Sequence, residues 1–412
     1  MSDHRAPRQF KSIAQLHTFL KERDPKPGSS YSLERMQQAA ERLGHPERQY
    51  KVVHVGGTSG KGSTCTMIAS ILEAAGYSVG HYTSPSLVSP LERLVVNQKM
   101  ATESVALRLV NRLWPVLVDL KLSHFEFFTI LALQYFADRR VDYAVVEVGV
   151  GGQYDATNIV QPTVAIVTTV GLDHTALLGK TLRSIADHKQ AIIKSGSIGL
   201  TGSKLIKRGR YVNVDSAKHI QPTLTTTTFD FGKMKRIELS TGGRYQVRNA
   251  ILAIEAARAL GIAEPAIRYG LRAAKLIGRF QVLGRRPLLI VDGAHNPQKM
   301  TAFVDALKAV VDTKHQRIVC LYAMKSTKDI RKTLLPLARL LDTVVITTFS
   351  RSYSPATVRR VLRSLNRDVQ MILEPKPNKA YAIWRRSLQS NDVGIITGSL
   401  YLIGYLRQAK LL

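Results

Sequence analysis

Val52-Val53-His54-Val55-Gly56-Gly57-Thr58-Ser59-Gly60-Lys61-Gly62-Ser63 is the stretch that decides the fold. A short apolar, β-branched run ends in glycines, then a lysine, then a hydroxyl residue that opens an amphipathic helix. Glycines let backbone N–H groups close around a phosphate, the helix N-terminus adds partial positive charge, and Lys61 supplies a full one. The spacing is not that of the common phosphate loop, GxxxxGK[ST]. Counting back from Gly60 puts Val55 where the first glycine would stand, and Gly62 directly follows Lys61. Glycine-rich strand-to-helix turns occur in any α/β fold, but Lys61 and Ser63 together make this one a nucleotide site. Its backbone is Gly57, Thr58, Ser59, Gly60, Lys61, Gly62 and Ser63.

The chain has 412 residues, too many for one small core, so two domains are expected. A hydrophobic content of 45% is ordinary for a globular protein. No run is long and apolar enough to span a bilayer, and Met1 to Pro7 lacks the apolar core of a signal peptide. A cytoplasmic location is therefore expected. The two cysteines, Cys65 and Cys320, fall in helix-like and strand-like apolar runs and read as buried thiols, not as a disulfide or metal set. The formal net charge of +29 attracts polyanions and steers anionic ligands. Its basic residues are scattered, as at Lys207-Arg208, Arg285-Arg286, Arg359-Arg360 and Arg385-Arg386, without a recognisable nucleic-acid module. Polyanionic small substrates are the expected partners, with nucleic acid attracted only non-specifically.

Strand-like runs alternate with helical ones along the chain. Strands are expected at 78–82, 143–148, 163–167, 288–291, 318–321, 343–347, 369–372 and 393–396. Helices are expected at 13–23, 33–43, 64–75 (stopped by Gly76), 104–120, 125–137, 182–194, 247–260 and 298–311. This pattern predicts an α/β protein with two doubly wound domains, an N-terminal phosphate-loop domain over 1–283 and a smaller Rossmann-like domain over 284–412. The boundary is placed at the basic, turn-prone Leu283-Gly284-Arg285-Arg286-Pro287. The polar, Thr-rich segment from Lys204 to Thr241 reads either as a small antiparallel insertion or as a mobile loop.

Four further motifs fall at strand ends: Tyr82-Thr83-Ser84-Pro85; Glu147-Val148-Gly149-Val150-Gly151-Gly152 with Asp155-Ala156-Thr157-Asn158; Leu172-Asp173-His174-Thr175; and Asp292-Gly293-Ala294-His295-Asn296-Pro297. Ligands of open α/β sheets bind outside the carboxyl ends of the strands. A strand-end glutamate, a strand-end histidine and a hydroxyl beside a phosphate loop can together hold Mg²⁺ next to ATP. Each motif alone has a plainer reading; the last could simply cap a helix starting at Gln298.

Jointly and in this order, they make the chain resemble the folylpolyglutamate synthase/dihydrofolate synthase family, a branch of the Mur ligase superfamily of ATP-dependent amide ligases. The resemblance runs from Leu33-Glu34-Arg35-Met36 through GTSGKGS, YTSP, Glu92-Arg93, Phe125-Glu126-Phe127, EVGVGGQYDATN and LDHTALLG. It continues through Tyr245 to Ala250, Gly278-Arg279-Phe280 and DGAHNP to Thr397-Gly398-Ser399-Leu400-Tyr401. DATN, DGAHNP and TGSLY separate this branch from the cell-wall ligases.

The resemblance implies that Gly57 to Ser63 cradle the ATP phosphates, with Lys61 on the transferring one. Ser84, Glu147 and His174 would hold Mg²⁺. Lys189 matches a lysine carried as a carbamate, and the family leaves room for a monovalent cation as well. Asn249, Arg279, Asp292 and His295 would contact the nucleotide, the last two from the second domain, which would close over ATP and bind glutamate. The folate or dihydropteroate would lie near Thr83, Pro85, Phe125 and Asp155, and L-glutamate would be the amine. A monomer is expected. The sequence departs from the family at Ser59 (usually Asn), Ser86 (usually His), Gln153 (usually Arg) and His188, which replaces a glutamate beside Lys189. Two other readings stay open on sequence grounds: a Mur-type ligase with another carboxylate acceptor, and a basic phosphate-loop ATPase that binds nucleic acid.

Overall fold

The computed structural model describes residues 9–22 and 32–412; the expected polar link from Asp24 to Ser30, and Met1 to Pro7, lie outside the described residues. The chain forms two compact units. One comprises Met1–Ser216 and Arg248–Leu271, the other Ala217–Val247 and Arg272–Leu412.

The first unit is built on eight strands: β1 (Lys51–Gly56), β2 (Val79–Tyr82), β3 (Val95–Val96), β4 (Lys99–Met100), β5 (Tyr143–Glu147), β6 (Val164–Val167), β7 (Ile198–Thr201) and β8 (Arg210–Tyr211). Their order is β4-β3-β2-β5-β1-β6-β7-β8. All neighbours from β2 to β8 run parallel, and only the short β2-β3-β4 turns are antiparallel. Strands buried on both faces need continuous apolar sequence, and β1, β5 and β6 supply it with Val52, Val53, Val55, Val145, Val146 and Ile166. Register places Val55 beside Glu147 on one side and beside Ile166 on the other. The ends of three central strands are therefore level, and the loops that leave them share one edge.

Helices cover this sheet. His124–Asp138 starts with a capping box in which Ser123 and Glu126 satisfy each other's backbone N–H, and it buries Phe127, Phe128, Ile130, Leu131 and Phe136. The Glu126 carboxylate also takes a fork from Arg35 of the helix Glu34–Arg42. The helix Lys61–Ala74 begins three residues earlier than expected, because Gly60 adopts a left-handed φ of 91° and Lys61 can already be helical. On its far side, Ser70 donates to the Gly270 carbonyl, and Gly270 approaches the Ile71 backbone so closely that a Cβ would sit 2.4 Å from its Cα.

The second unit holds two sheets. β9 (Lys218–Pro222), β10 (Thr227–Phe231) and β11 (Met234–Leu239) form an antiparallel meander, so the Thr-rich segment is the antiparallel insertion of the two readings. β12 (Gln281–Arg285), β13 (Leu288–Val291), β14 (Ile318–Tyr322), β15 (Thr343–Ile346), β16 (Gln370–Leu373) and β17 (Val393–Thr397) form a sheet of order β12-β13-β17-β14-β15-β16. Only β12 is antiparallel. β12 runs through positions 283 and 284, where the sequence reading places a domain boundary. The turn-prone residues there are the end of an edge strand, irregular between Val282 and Gly284, and its hairpin. Core side chains include Phe280, Phe303, Leu307, Tyr322 and Val358. Cys65 and Cys320 are buried free thiols. No helix among the described residues is long and apolar enough to cross a membrane.

Candidate active site

β1 delivers the chain to the phosphate loop, and the loop after β6 fastens it. The Thr168 N–H and hydroxyl both donate to the Gly56 carbonyl (2.9 and 3.1 Å), and the same hydroxyl donates to the Ser59 carbonyl at 2.6 Å. Ser59 N–H donates to the Thr169 hydroxyl (2.9 Å), and Thr58 N–H to the Thr169 carbonyl (2.9 Å). This packing tolerates no side chain at position 57, where φ is 137° and a Cβ would lie 2.0 Å from Thr168 Oγ1. Lys61 folds over its own loop and donates to the Gly57 carbonyl at 3.1 Å. The Asn249 amide lies against Gly60. Sequence reasoning found this loop but missed its fastener. The available signal was a pair of hydroxyl residues directly after a buried strand.

Glu147, the last residue of β5, is 5% exposed, and its Oε2 accepts from the Ser84 N–H at 2.9 Å. The same carboxylate lies beside Gly62, where a Cβ would be 3.2 Å from Oε2. The structure thus joins Ser84, Glu147 and the head of the phosphate-loop helix. His174 sits apart from a closed chelate: its side chain is 48% exposed, and its ring lies 3.9 Å from Asp173. Among the described residues, no three His, Cys, Asp or Glu side chains converge as a metal set. Mg²⁺ bound through one or two carboxylates, water and substrate phosphates needs no such set, and a buried carboxylate level with a phosphate loop fits it.

Lys189 is 3% exposed, although a lysine is rarely buried. Burial, then the nearby charge of Lys61, push its amine down to about 7, against the opposing pull of Asp173 and Asp155. The glycines of the loop after β5 allow the approach. A Cβ on Gly152 would lie 3.2 Å from Lys189 Cα, and the Gln153 N–H donates to the His188 carbonyl. Asp155 organises the same loop. It accepts from the Val150 N–H (2.8 Å), the Thr157 N–H (3.1 Å) and the Thr157 hydroxyl (2.6 Å), while burial raises its carboxyl group. Phe125 rests on Gly149 next to Asp155. Thr83 and Pro85 continue from β2 beside Ser84 and are at least partly exposed.

In the second unit, Asp292 is buried at the end of β13. It accepts from the Phe280 N–H (2.8 Å), the Ala294 N–H (2.8 Å) and the Tyr245 hydroxyl. Arg279 is close enough to offset part of the burial that raises this carboxyl group. His295 Nδ1 donates to the Gly293 carbonyl (2.7 Å), which leaves Nε2 to accept from the Lys299 ammonium (3.1 Å). Burial and Lys299 hold this imidazole neutral, well below its ordinary value. Asn296 caps the helix Pro297–Val310, so the motif is also the helix cap of its plainer reading. The sequence suggests that Asp292→Ala weakens ATP use without unfolding the protein. The three donors it would strand change the second half of that expectation. At about 1–3 kcal/mol per buried unpaired donor, Asp292→Ala should lower the unfolding free energy by at least about 2 kcal/mol. Urea denaturation beside the ATP KM checks both effects.

A phosphate loop at the head of a doubly wound sheet, with a buried carboxylate level with it, makes a site for a nucleotide and its metal, and the relatives narrow the class to the ATP-dependent ligases of the Mur type. Residues 278–400 match the family described as Mur ligase, glutamate ligase domain. The chain is 31% identical to folylpolyglutamate synthase of Lacticaseibacillus casei over 97% of its own length and 98% of that protein. Among solved structures, Escherichia coli FolC in complex with DHPP and ADP superposes with a TM-score of 0.85 at 28% identity, covering 98% of this chain and 99% of that one. A bifunctional folylpolyglutamate synthase/dihydrofolate synthase with Mn, AMPPNP and L-glutamate bound gives 0.83 at 28% identity, over 99% of this chain and all of that one. This chain belongs to the folylpolyglutamate synthase/dihydrofolate synthase family.

Proposed function

We propose that the enzyme adds L-glutamate to the γ-carboxylate of reduced folates at the expense of ATP, with Mg²⁺ as its divalent metal. The observation that carries this reading is the shared edge on which the fastened phosphate loop, Glu147 and the lowered amine of Lys189 meet. The nucleotide and glutamate in the related crystals support it. A carboxylate is a poor acylating agent, because its leaving group would be oxide. Its oxygen attacks the terminal phosphorus of ATP, ADP leaves, and an acyl phosphate forms. The glutamate amine then attacks the acyl carbon, and the tetrahedral intermediate collapses with loss of phosphate and a proton. Both steps gather charge on oxygen, so the protein's work is positioning and cationic stabilisation.

The backbone of Gly57 to Ser63 holds the phosphates, and Lys61 balances charge on the transferred group. Ser84, Glu147 and His174, with Lys189 once carbamylated, would hold Mg²⁺, which supplies Lewis-acid neutralisation when bound. Asn249, Arg279, Asp292 and His295 serve the nucleotide in this reading. His295 would do so as a neutral ring, and Asp292 chiefly by shaping its loop. Phe125 offers a face for the pterin ring.

Phosphate release with Mg-ATP and L-glutamate tests the proposal, in parallel reactions with tetrahydrofolate, dihydropteroate or neither. Turnover with tetrahydrofolate alone marks a polyglutamylating enzyme, and turnover with both marks a bifunctional one. No turnover in any reaction would overturn the reading.

A further inference from the structure

Positive charge is not spread evenly over this chain. The second unit holds 30 lysines and arginines against 10 aspartates and glutamates, whereas the first holds 29 against 20. Arginines of the first unit are commonly ion-paired, as in Arg35–Glu126, Arg112–Asp138 and Arg210–Glu255. One face of the second unit is different. It is made by the helices Ile330–Ala338 and Pro355–Leu365, which bury Leu334, Leu337, Val358 and Leu362. That leaves Arg331, Arg339, Arg359, Arg360, Arg363 and Arg367 exposed to solvent. The two helices present these cations together, because Arg331 Nη1 donates to Ser364 Oγ (2.7 Å) and the Asn366 amide donates to the Ala338 carbonyl (2.9 Å). Arg360 and Arg363 share one side of their helix, and Arg363 Nη1 reaches the Arg367 carbonyl at 2.5 Å. None of the six is ion-paired to a carboxylate of the described residues. The acids beside them in sequence are Asp329, which pairs with Lys332 at 3.6 Å, and the exposed Asp368. Like charges one helical turn apart, such as Arg359 and Arg363, weaken a helix, so stability does not account for the arrangement.

We propose that this face docks the phosphate backbone of a nucleic-acid duplex without reading its sequence. Three features decide the partner. With Lys332, six of the seven cations are arginines, whose planar fork matches phosphate and sheds water more readily than an ammonium. Leu335 is the one large apolar side chain exposed on either helix. A helix that lies on a membrane needs a stripe of Trp, Phe or Leu to insert, and a protein interface needs an apolar centre. Neither helix contains an aromatic residue, so unstacked bases have no platform here. Phosphates are what remains, and a duplex presents them as a rigid, regularly spaced row of charge. None of these side chains belongs to the proposed nucleotide, metal or folate sites, so docking and ligation are separable.

The test is binding of the full-length protein to fluorescent RNA and DNA duplexes of about 20 base pairs across a salt series, with thermal unfolding alongside. Wild type is expected to bind both duplexes within about threefold of each other, with log K falling against log salt at a slope of about −4 or steeper. Arg360→Gln, Arg363→Gln and Arg367→Gln combined should weaken binding about ten- to a hundredfold at about 50 mM salt, make the slope shallower by about 2 to 3, and leave the unfolding temperature unchanged. Lys376→Gln, Lys379→Gln and Arg385→Gln combined remove the same charge on and beside the helix Pro377–Arg386, which packs against the helix Leu400–Gln408, and should stay within about threefold of wild type. Arg339→Gln, Arg359→Gln and Arg360→Gln combined should show the first variant's loss, which covers the case that the first misfolds. Equal losses in the Lys376 set and the arginine sets would show bulk charge alone and overturn the face. Failure of wild type to bind either duplex would overturn the proposal, as would tighter binding to vesicles of equimolar phosphatidylserine and phosphatidylcholine.

Discussion

Lys61→Ala should reduce glutamate-dependent phosphate release by at least about a thousandfold, because in the proposed mechanism it removes the full positive charge that faces the transferred phosphoryl group. The fold should survive. The one hydrogen bond described for Lys61 goes to the Gly57 carbonyl, and losing it is worth about 1 kcal/mol. The loop itself is held from the other side by Thr168 and Thr169, which the substitution does not touch. A second effect is built in. The charge of Lys61 is one of the causes that lower the Lys189 amine, so removing it should move Lys189 back toward its ordinary value. The phosphate-loop assignment would not survive a Lys61→Ala enzyme that kept ordinary turnover.

Lys189 gives the other large effect. Carbamate formation needs the neutral amine, which attacks CO₂ and releases a proton. With the amine at about 7, most copies are neutral above that pH. At pH 6 only about one in ten is neutral. Activity should therefore rise with pH through about 7 and fall below it. Depleting CO₂ should deepen the acid loss, and added bicarbonate should reverse it. That CO₂ dependence separates Lys189 from protonation of His174, which would cause an acid loss that bicarbonate cannot repair. Lys189→Gln should cost about a hundredfold in turnover or more, since neither the amine nor its carbamate can form. Turnover that is flat from pH 6 to 8, indifferent to CO₂ and retained in Lys189→Gln, would show the residue to be an ordinary buried lysine.

The parts of this fold that could be read in the sequence are those with local signatures. β1 and its loop stood out because β-branched residues, glycines, a lysine and a serine occur within twelve positions. The strand-end motifs were legible for the same reason. Short elements were not: β3 and β4 have two residues each, too few to show a period. β12 was hidden by Gly284 and Pro287, which read as a turn-prone domain boundary and lie in an edge hairpin. At the site, the phosphate-loop residues, Glu147 and Lys189 could be named from spacing and resemblance. Their fastening by Thr168 could not, because it joins residues more than a hundred positions apart. Asp292 was legible as a motif residue. Its three local donors, which make it a shaper of its own loop, appear only in three dimensions. The arginine face of the second unit is likewise a property of the fold, since Arg331 and Ser364 meet only there.

The first unit is not a contiguous half of the chain. Its stretch from Arg248 to Leu271 follows the meander of the second unit in sequence, and it brings both Asn249 to Gly60 and Gly270 to Ile71. During synthesis, then, the ATP-binding unit cannot be finished when its large sheet is complete. The ribosome must first release a piece of the other unit and then the closing helices. Until then the Ile71 face of the helix Lys61–Ala74 has no cover from Gly270, so the nascent chain exposes it for the time needed to make roughly sixty further residues, at roughly 5–20 residues per second.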